Sequence, residues 1–98
     1  MSEPAPALYS VSLLNDDKTP MEFVVRVLQT FFDMDWDSAK QKMFFIHHHG
    51  SATCGFYEYE GAKKKAADVI AFSRQHNHPL QCTFEKAREV PDTLQDIG

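Results

Sequence analysis

Within nine residues, Asn15-Asp16-Asp17-Lys18-Thr19-Pro20-Met21-Glu22-Phe23, this chain passes from one kind of backbone to another. Upstream, Tyr9-Ser10-Val11-Ser12-Leu13 alternates apolar and polar with period two, the signature of a half-buried strand. Downstream, Thr19-Pro20-Met21-Glu22 has the S/T-x-x-E form of a capping box with proline at the first helical position. A helix is therefore expected to begin there and to run to about Asp33. Between the two, Asn15, Asp16 and Asp17 favour an Asx-type turn, because their short side chains bond to nearby backbone amides.

The rest of the chain reads in the same alternation of periods. A second helix is expected from Asp35 or Asp37 to Gly50, a good left-handed terminator. Ser51 to Tyr57 reads as a strand with Ala52, Cys54 and Phe56 on one face. Glu60 to about His76 reads as a third helix packed along Ala62, Ala66, Val69, Ile70 and Ser73. Leu80 to Phe84 alternates again as a third strand. The order β-α-α-β-α-β predicts a two-layer α/β sandwich, a three-stranded antiparallel sheet packed on three helices. Residues 1–8 are expected to form a short flexible leader, 9–86 the folded domain, and 87–98 an acidic flexible tail.

Composition bounds the function. Eight Phe, three Tyr and one Trp in 98 residues supply one compact core and little more. The formal charge is −4 and Lys63-Lys64-Lys65 is the only basic run, which argues against a nucleic-acid partner. No apolar stretch approaches the roughly 20 residues needed to span a bilayer. Two cysteines without a secretory signal give no disulfide framework, so a reducing, cytoplasmic setting is expected.

The junction is also the first candidate site. Two carboxylates and an amide beside an apolar helix can accept a cation with a greasy neighbour, while a purely structural turn explains the same residues. Calcium-loop spacing is absent. Met43, Ile46 and His47, spaced i, i+3, i+4, share one helix face, as do Met21 and Val24. Such stripes are ordinarily core, but His47 puts a polar ring there that needs a partner. His47-His48-His49 cannot converge on one metal ion, because consecutive helical residues point about 100° apart. His48 and His49 are expected to be exposed at the helix end. His76 and His78 add no zinc-finger spacing, so no metal site is expected. Cys54 and Cys82 read as small core residues. Phosphate loops, serine elbows and dinucleotide fingerprints are missing, and no cofactor is expected. Glu60 with the Lys63–Lys65 run reads as a solvated helix face or a docking patch for a protein.

The segment Leu14-Asn15-Asp16-Asp17-Lys18-Thr19-Pro20-Met21-Glu22-Phe23-Val24-Val25 closely resembles the signature of the ClpS adaptor family. So do Met43 through His47 with Gly50, Cys54-Gly55, and His78-Pro79-Leu80-Gln81-Cys82-Thr83 with Glu85-Lys86. The resemblance runs in order from about Tyr9 to Lys86. It implies an adaptor without catalytic activity that recognises N-degrons, proteins beginning with Leu, Phe, Tyr or Trp, and hands them to the AAA+ unfoldase ClpA. Carried over by motif, Asn15, Asp17 and His47 would hold the substrate's α-amino group, and Asp16 and Thr19 would support the rim. Met21, Val24, Met43, Ile46 and Leu80 would line the side-chain pocket, and Glu60 and Lys65 would contact the unfoldase. Lys18 departs from the family, where Tyr is common, and the leader is short for it. These departures leave room for an alternative, a regulatory protein that docks on a Clp ATPase without delivering substrates.

Overall fold

The computed structural model describes residues 7–87. Of the expected leader and tail, residues 1–6 and 88–98 lie outside the described residues. Six elements follow in the expected order: β1 (Tyr9–Leu14), α1 (Met21–Phe32), α2 (Trp36–His49), β2 (Ser51–Tyr57), α3 (Tyr59–Gln75) and β3 (Gln81–Lys86). They build the anticipated α/β architecture, three helices with a three-stranded antiparallel sheet in the order β2-β1-β3. The ladder reaches one residue past each expected domain boundary, because the Ala87 amide donates to the Leu8 carbonyl at 2.9 Å.

Being central, β1 sends Val11 and Leu13 into the core with no exposed surface. Opposite them, Ala52 pairs with Leu13 and Phe84 with Val11. The helices cover this face with the stripes that period 3.6 predicts: Phe23, Val24, Val27, Leu28 and Phe32 on α1, and Ala62, Ala66, Val69 and Ser73 on α3. The small residues of α3 let it lie close to the sheet, and the buried Ser73 hydroxyl is satisfied by the Val69 carbonyl at 2.8 Å.

Two local expectations fail, each for a physical reason. On β2 the face Ala52, Cys54, Phe56 is broken by a β-bulge: Val11 pairs with Gly55 and Ser12 with Thr53, leaving Cys54 as the extra residue. The bulge inverts the alternation beyond it, so Tyr57, not Phe56, packs against the core. Gly55 fits this arrangement, since a Cβ there would meet the Tyr57 ring at 2.6–2.9 Å.

The second failure is the capping box. Pro20 is itself the N-cap of α1, in extended conformation and without a side-chain cap. Its carbonyl takes the Phe23 and Val24 amides at 3.0 and 3.3 Å. The Thr19 hydroxyl donates instead to Asp16 Oδ2 at 2.6 Å. A capping threonine would accept a helix amide; here the cap falls one residue later, at Pro20, and the Thr19 amide and hydroxyl both donate to the Asp16 carboxylate, a strong charge-assisted acceptor. The second helix behaves as expected at both ends. Asp35 caps it through the Ser38 amide at 2.8 Å, and Gly50 closes it at φ 92° with its amide on the Ile46 carbonyl.

Candidate functional site

Three separate segments meet at one end of the sheet. The turn after β1 is held by Asp16, whose Oδ1 accepts the Lys18 amide at 2.8 Å and the Thr19 amide at 2.7 Å. With the Thr19 hydroxyl on Oδ2, one carboxylate organises the whole turn. Burial alone would raise the Asp16 carboxyl. The bonds from the Thr19 side chain and the Lys18 and Thr19 amides, with the nearby His78, outweigh it and hold Asp16 below the usual carboxylate range.

The turn is tied to α2 by one backbone bond, from the Asn15 amide to the Gly50 carbonyl at 2.8 Å. That bond sets Asn15 and Asp17 beside the last turn of α2, where His47 sits. The third segment, the approach to β3, is clamped by Arg74: its Nη1 donates to the carbonyls of His78 and Leu80, both at 2.9 Å. Leu80, fully buried, is thereby fixed as the floor on that side.

The result is a cavity of about 180 Å3 lined by Leu14, Asn15, Asp16, Asp17, Thr19, Met21, Val24, Met43, Ile46, His47 and Leu80. All ten residues that the sequence suggested for the amine-binding, rim and side-chain positions line it. Its wall is apolar where Val24, Met43, Ile46 and Leu80 are buried, and polar where Asn15, Asp17 and His47 are exposed. Among the described residues none of these three side chains has an intramolecular hydrogen bond. Asp16 is thus occupied in building the turn, whereas Asp17 beside it is free to face a ligand. Met21, exposed and first in α1, stands at the mouth.

Other sequence candidates lie elsewhere. Glu60 is exposed in the first turn of α3, and Lys65 is half-buried one turn on, neither of them at the cavity. The Lys65 ammonium donates to the Phe31 carbonyl at 2.7 Å, at the far end of α1 from the pocket. His48 and His49 are exposed, with His49 Nδ1 3.1 Å from the Phe45 carbonyl. Among the described residues no group of His, Cys, Asp and Glu side chains is placed to hold a metal ion. Burial pushes the Cys54 thiol up to about 11 and the Cys82 thiol to about 12, which suits core residues and not nucleophiles. No helix among the described residues is long and apolar enough to cross a membrane.

Two contributors escaped the sequence reading. Leu14 lines the cavity, and the Leu13-Leu14 doublet, which breaks the strand's alternation, is the signal that marks it. Arg74 positions the Leu80 wall but bonds only backbone carbonyls, so no residue pattern announces it.

An apolar cavity rimmed on one side by unengaged acceptors defines a binding module. Comparison with known proteins specifies which kind. Residues 4–83 match the family model of ClpS, the ATP-dependent Clp protease adaptor protein. The chain is 54% identical over 81 residues to the ATP-dependent Clp protease adapter protein ClpS 2 of Rhodopseudomonas palustris, covering 83% of this chain and 74% of that protein. The figures are the same for ClpS of Parvibaculum lavamentivorans. The fold matches the solved structure of Agrobacterium tumefaciens ClpS2 bound to L-phenylalaninamide with a TM-score of 0.82 and 38% identity, over 85% of this chain and 100% of that one. The chain belongs to the ClpS family, whose members are adaptor proteins of the Clp protease and not enzymes.

Proposed function

We propose that this protein binds N-degron substrates through the free α-amino group and the first side chain, and delivers them to a ClpA-type AAA+ unfoldase. One observation carries the reading: three acceptor side chains without intramolecular partners, Asn15, Asp17 and His47, border an apolar cavity. A free α-amino group has a pKa near 8, so it is mostly cationic at neutral pH and offers three donors. A carboxylate, an amide oxygen and the unprotonated nitrogen of neutral His47 are one acceptor for each. This role requires a neutral imidazole, since an imidazolium has no acceptor.

The apolar side then takes the residue's side chain. An enclosed apolar cavity of roughly 150 Å3 accommodates a benzene ring, so about 180 Å3 suits Phe, Tyr or Leu. L-phenylalaninamide, the ligand of the Agrobacterium structure, has the same chemistry: an ammonium, a benzyl group and an amide continuing where a peptide would.

Fluorescence anisotropy with matched Phe-initiated peptides tests the recognition step. N-acetylation removes the charge and the donors together. At about 1.5 kcal/mol for each charge-assisted bond, losing two or three weakens binding by roughly a hundredfold or more. Equal affinity for free and acetylated peptides overturns the reading. Delivery is tested with ClpA and its peptidase: the protein should accelerate loss of a Phe-initiated reporter, and a regulator that only docks would not.

A further inference from the structure

Resting on the amine-in-pocket reading above, we propose that Lys18 makes the protein select N-degrons with acidic residues at the second and third positions. The argument begins with where Lys18 stands. Its amide is pinned to Asp16 Oδ1 at 2.8 Å, so its backbone is part of the rim turn. Its neighbours Asp17 and Thr19 line the cavity, but Lys18 does not, and its side chain is exposed. The ammonium is therefore outside the pocket, on a flexible stem rooted in its rim.

The surrounding negative charges are already committed. Asp16 holds two amides and a hydroxyl. Asp17 borders the cavity, where the substrate ammonium offsets it. Glu22 lines a different groove, in the company of Arg26, His76 and His78. The sole side-chain ion pair among the described residues is Lys64 with Asp68, at 2.8 Å. Lys18 is thus a cation at the rim with no fixed counter-charge.

A peptide whose ammonium is held by Asn15, Asp17 and His47 leaves across this rim. Successive Cα atoms are about 3.8 Å apart, which puts the second and third residues within roughly 4–8 Å of the anchored one. A lysine on its flexible four-carbon stem can follow a carboxylate there, inside the Debye length of about 8–10 Å. An exposed pair of this kind changes affinity by a small factor, about two- to fivefold, and the factor shrinks as salt screens it.

The experiment uses three Phe-initiated peptides with Glu-Glu, Ala-Ala or Lys-Lys at positions two and three, each free and acetylated. Binding is measured by anisotropy to the parent, Lys18→Ala and Lys18→Glu at low and high salt. The expected order for the parent is Glu-Glu, then Ala-Ala, then Lys-Lys, with the spread narrowing at high salt. Lys18→Ala should flatten that order, Lys18→Glu should reverse it, and melting temperatures should be unchanged because only the Lys18 backbone is bonded. The same order and spread in all three proteins, or tighter Lys-Lys binding by the parent, overturns the proposal while leaving amine recognition standing. If free and acetylated peptides bind alike, the pocket reading fails and this inference fails with it.

Discussion

Asp16 and Asp17 are adjacent carboxylates with opposite duties, and removing each in turn separates fold from function. Asp16→Ala takes away the acceptor of three donors, at 2.8, 2.7 and 2.6 Å. Bonds to an ionised group contribute about 1.5–3 kcal/mol each when buried, but the turn is half-exposed and its amides regain water, so a total near 2 kcal/mol is a reasonable figure. For a domain of this size that lowers Tm by roughly 8–16 °C. Asp17→Ala removes an exposed side chain with no intramolecular bond, so its Tm should move by no more than a surface substitution usually does, about 0.5 kcal/mol in stability. Its effect falls on binding: loss of the charged acceptor should weaken a Phe-initiated peptide by about tenfold. The paired assay is calorimetric melting and anisotropy on the same samples. It carries an internal check in pH. The Asp16 carboxyl is held below its ordinary value of 3.8, so its stabilisation is present above that value and lost as pH falls through the folded-state value. The gap in Tm between the parent and Asp16→Ala should therefore close below about pH 4. If Asp17→Ala lowers Tm as much as Asp16→Ala, or leaves affinity unchanged, the division of labour is wrong.

The order of elements was legible because strands and helices in this chain differ in period, and three of the five joins are punctuated, by Asn15-Asp16-Asp17, Asp35 and Gly50. What escaped were features decided by competition between neighbours. Thr19 has the form of a capping residue, but its amide and hydroxyl both donate to Asp16 and the cap falls at Pro20, and a pattern of residue types does not say which neighbour a threonine serves. The bulge at Cys54 has one compositional mark, the isolated Gly55 beside it, which signals irregularity but not its register, yet that register decides that Tyr57 faces the core and Phe56 does not. The pocket residues were legible one by one as a turn, a helix face and a strand start. Their convergence depends on the Asn15–Gly50 bond and the Arg74 clamp, both of which end on backbone carbonyls that every sequence supplies.

The remaining expectations test the same joints. Met21 stands at the mouth, so Met21→Ala should admit peptides beginning with the β-branched residues Ile or Val; equal rejection by the variant and the parent in anisotropy refutes a steric gate. Gly50→Ala meets no atom within 4 Å, so its cost is backbone strain at φ 92°, about 1–2 kcal/mol, read as a lower Tm. Because the Gly50 carbonyl holds Asn15, peptide affinity should fall as well; a fall in Tm with affinity intact would show that the turn does not depend on this bond. Cys54 and Cys82, with thiols at about 11 and 12, should resist iodoacetamide at pH 8 in the native protein and react promptly in denaturant. The same raised values mean that stability falls as pH rises above the ordinary thiol range, since only the unfolded chain then ionises freely; rapid native labelling would contradict the burial. Finally, the two α3 residues proposed to meet the unfoldase are not equivalent. The Lys65 ammonium already caps the α1 C-terminus through Phe31, so Lys65→Ala should lower Tm together with any loss of delivery. Glu60 is exposed and makes no side-chain bond among the described residues, so Glu60→Ala should leave both Tm and peptide affinity unchanged. If it nonetheless slows degradation of a Phe-initiated reporter by ClpA and its peptidase, the α3 face is the docking face; if delivery is unaffected, the contact lies elsewhere on the adaptor.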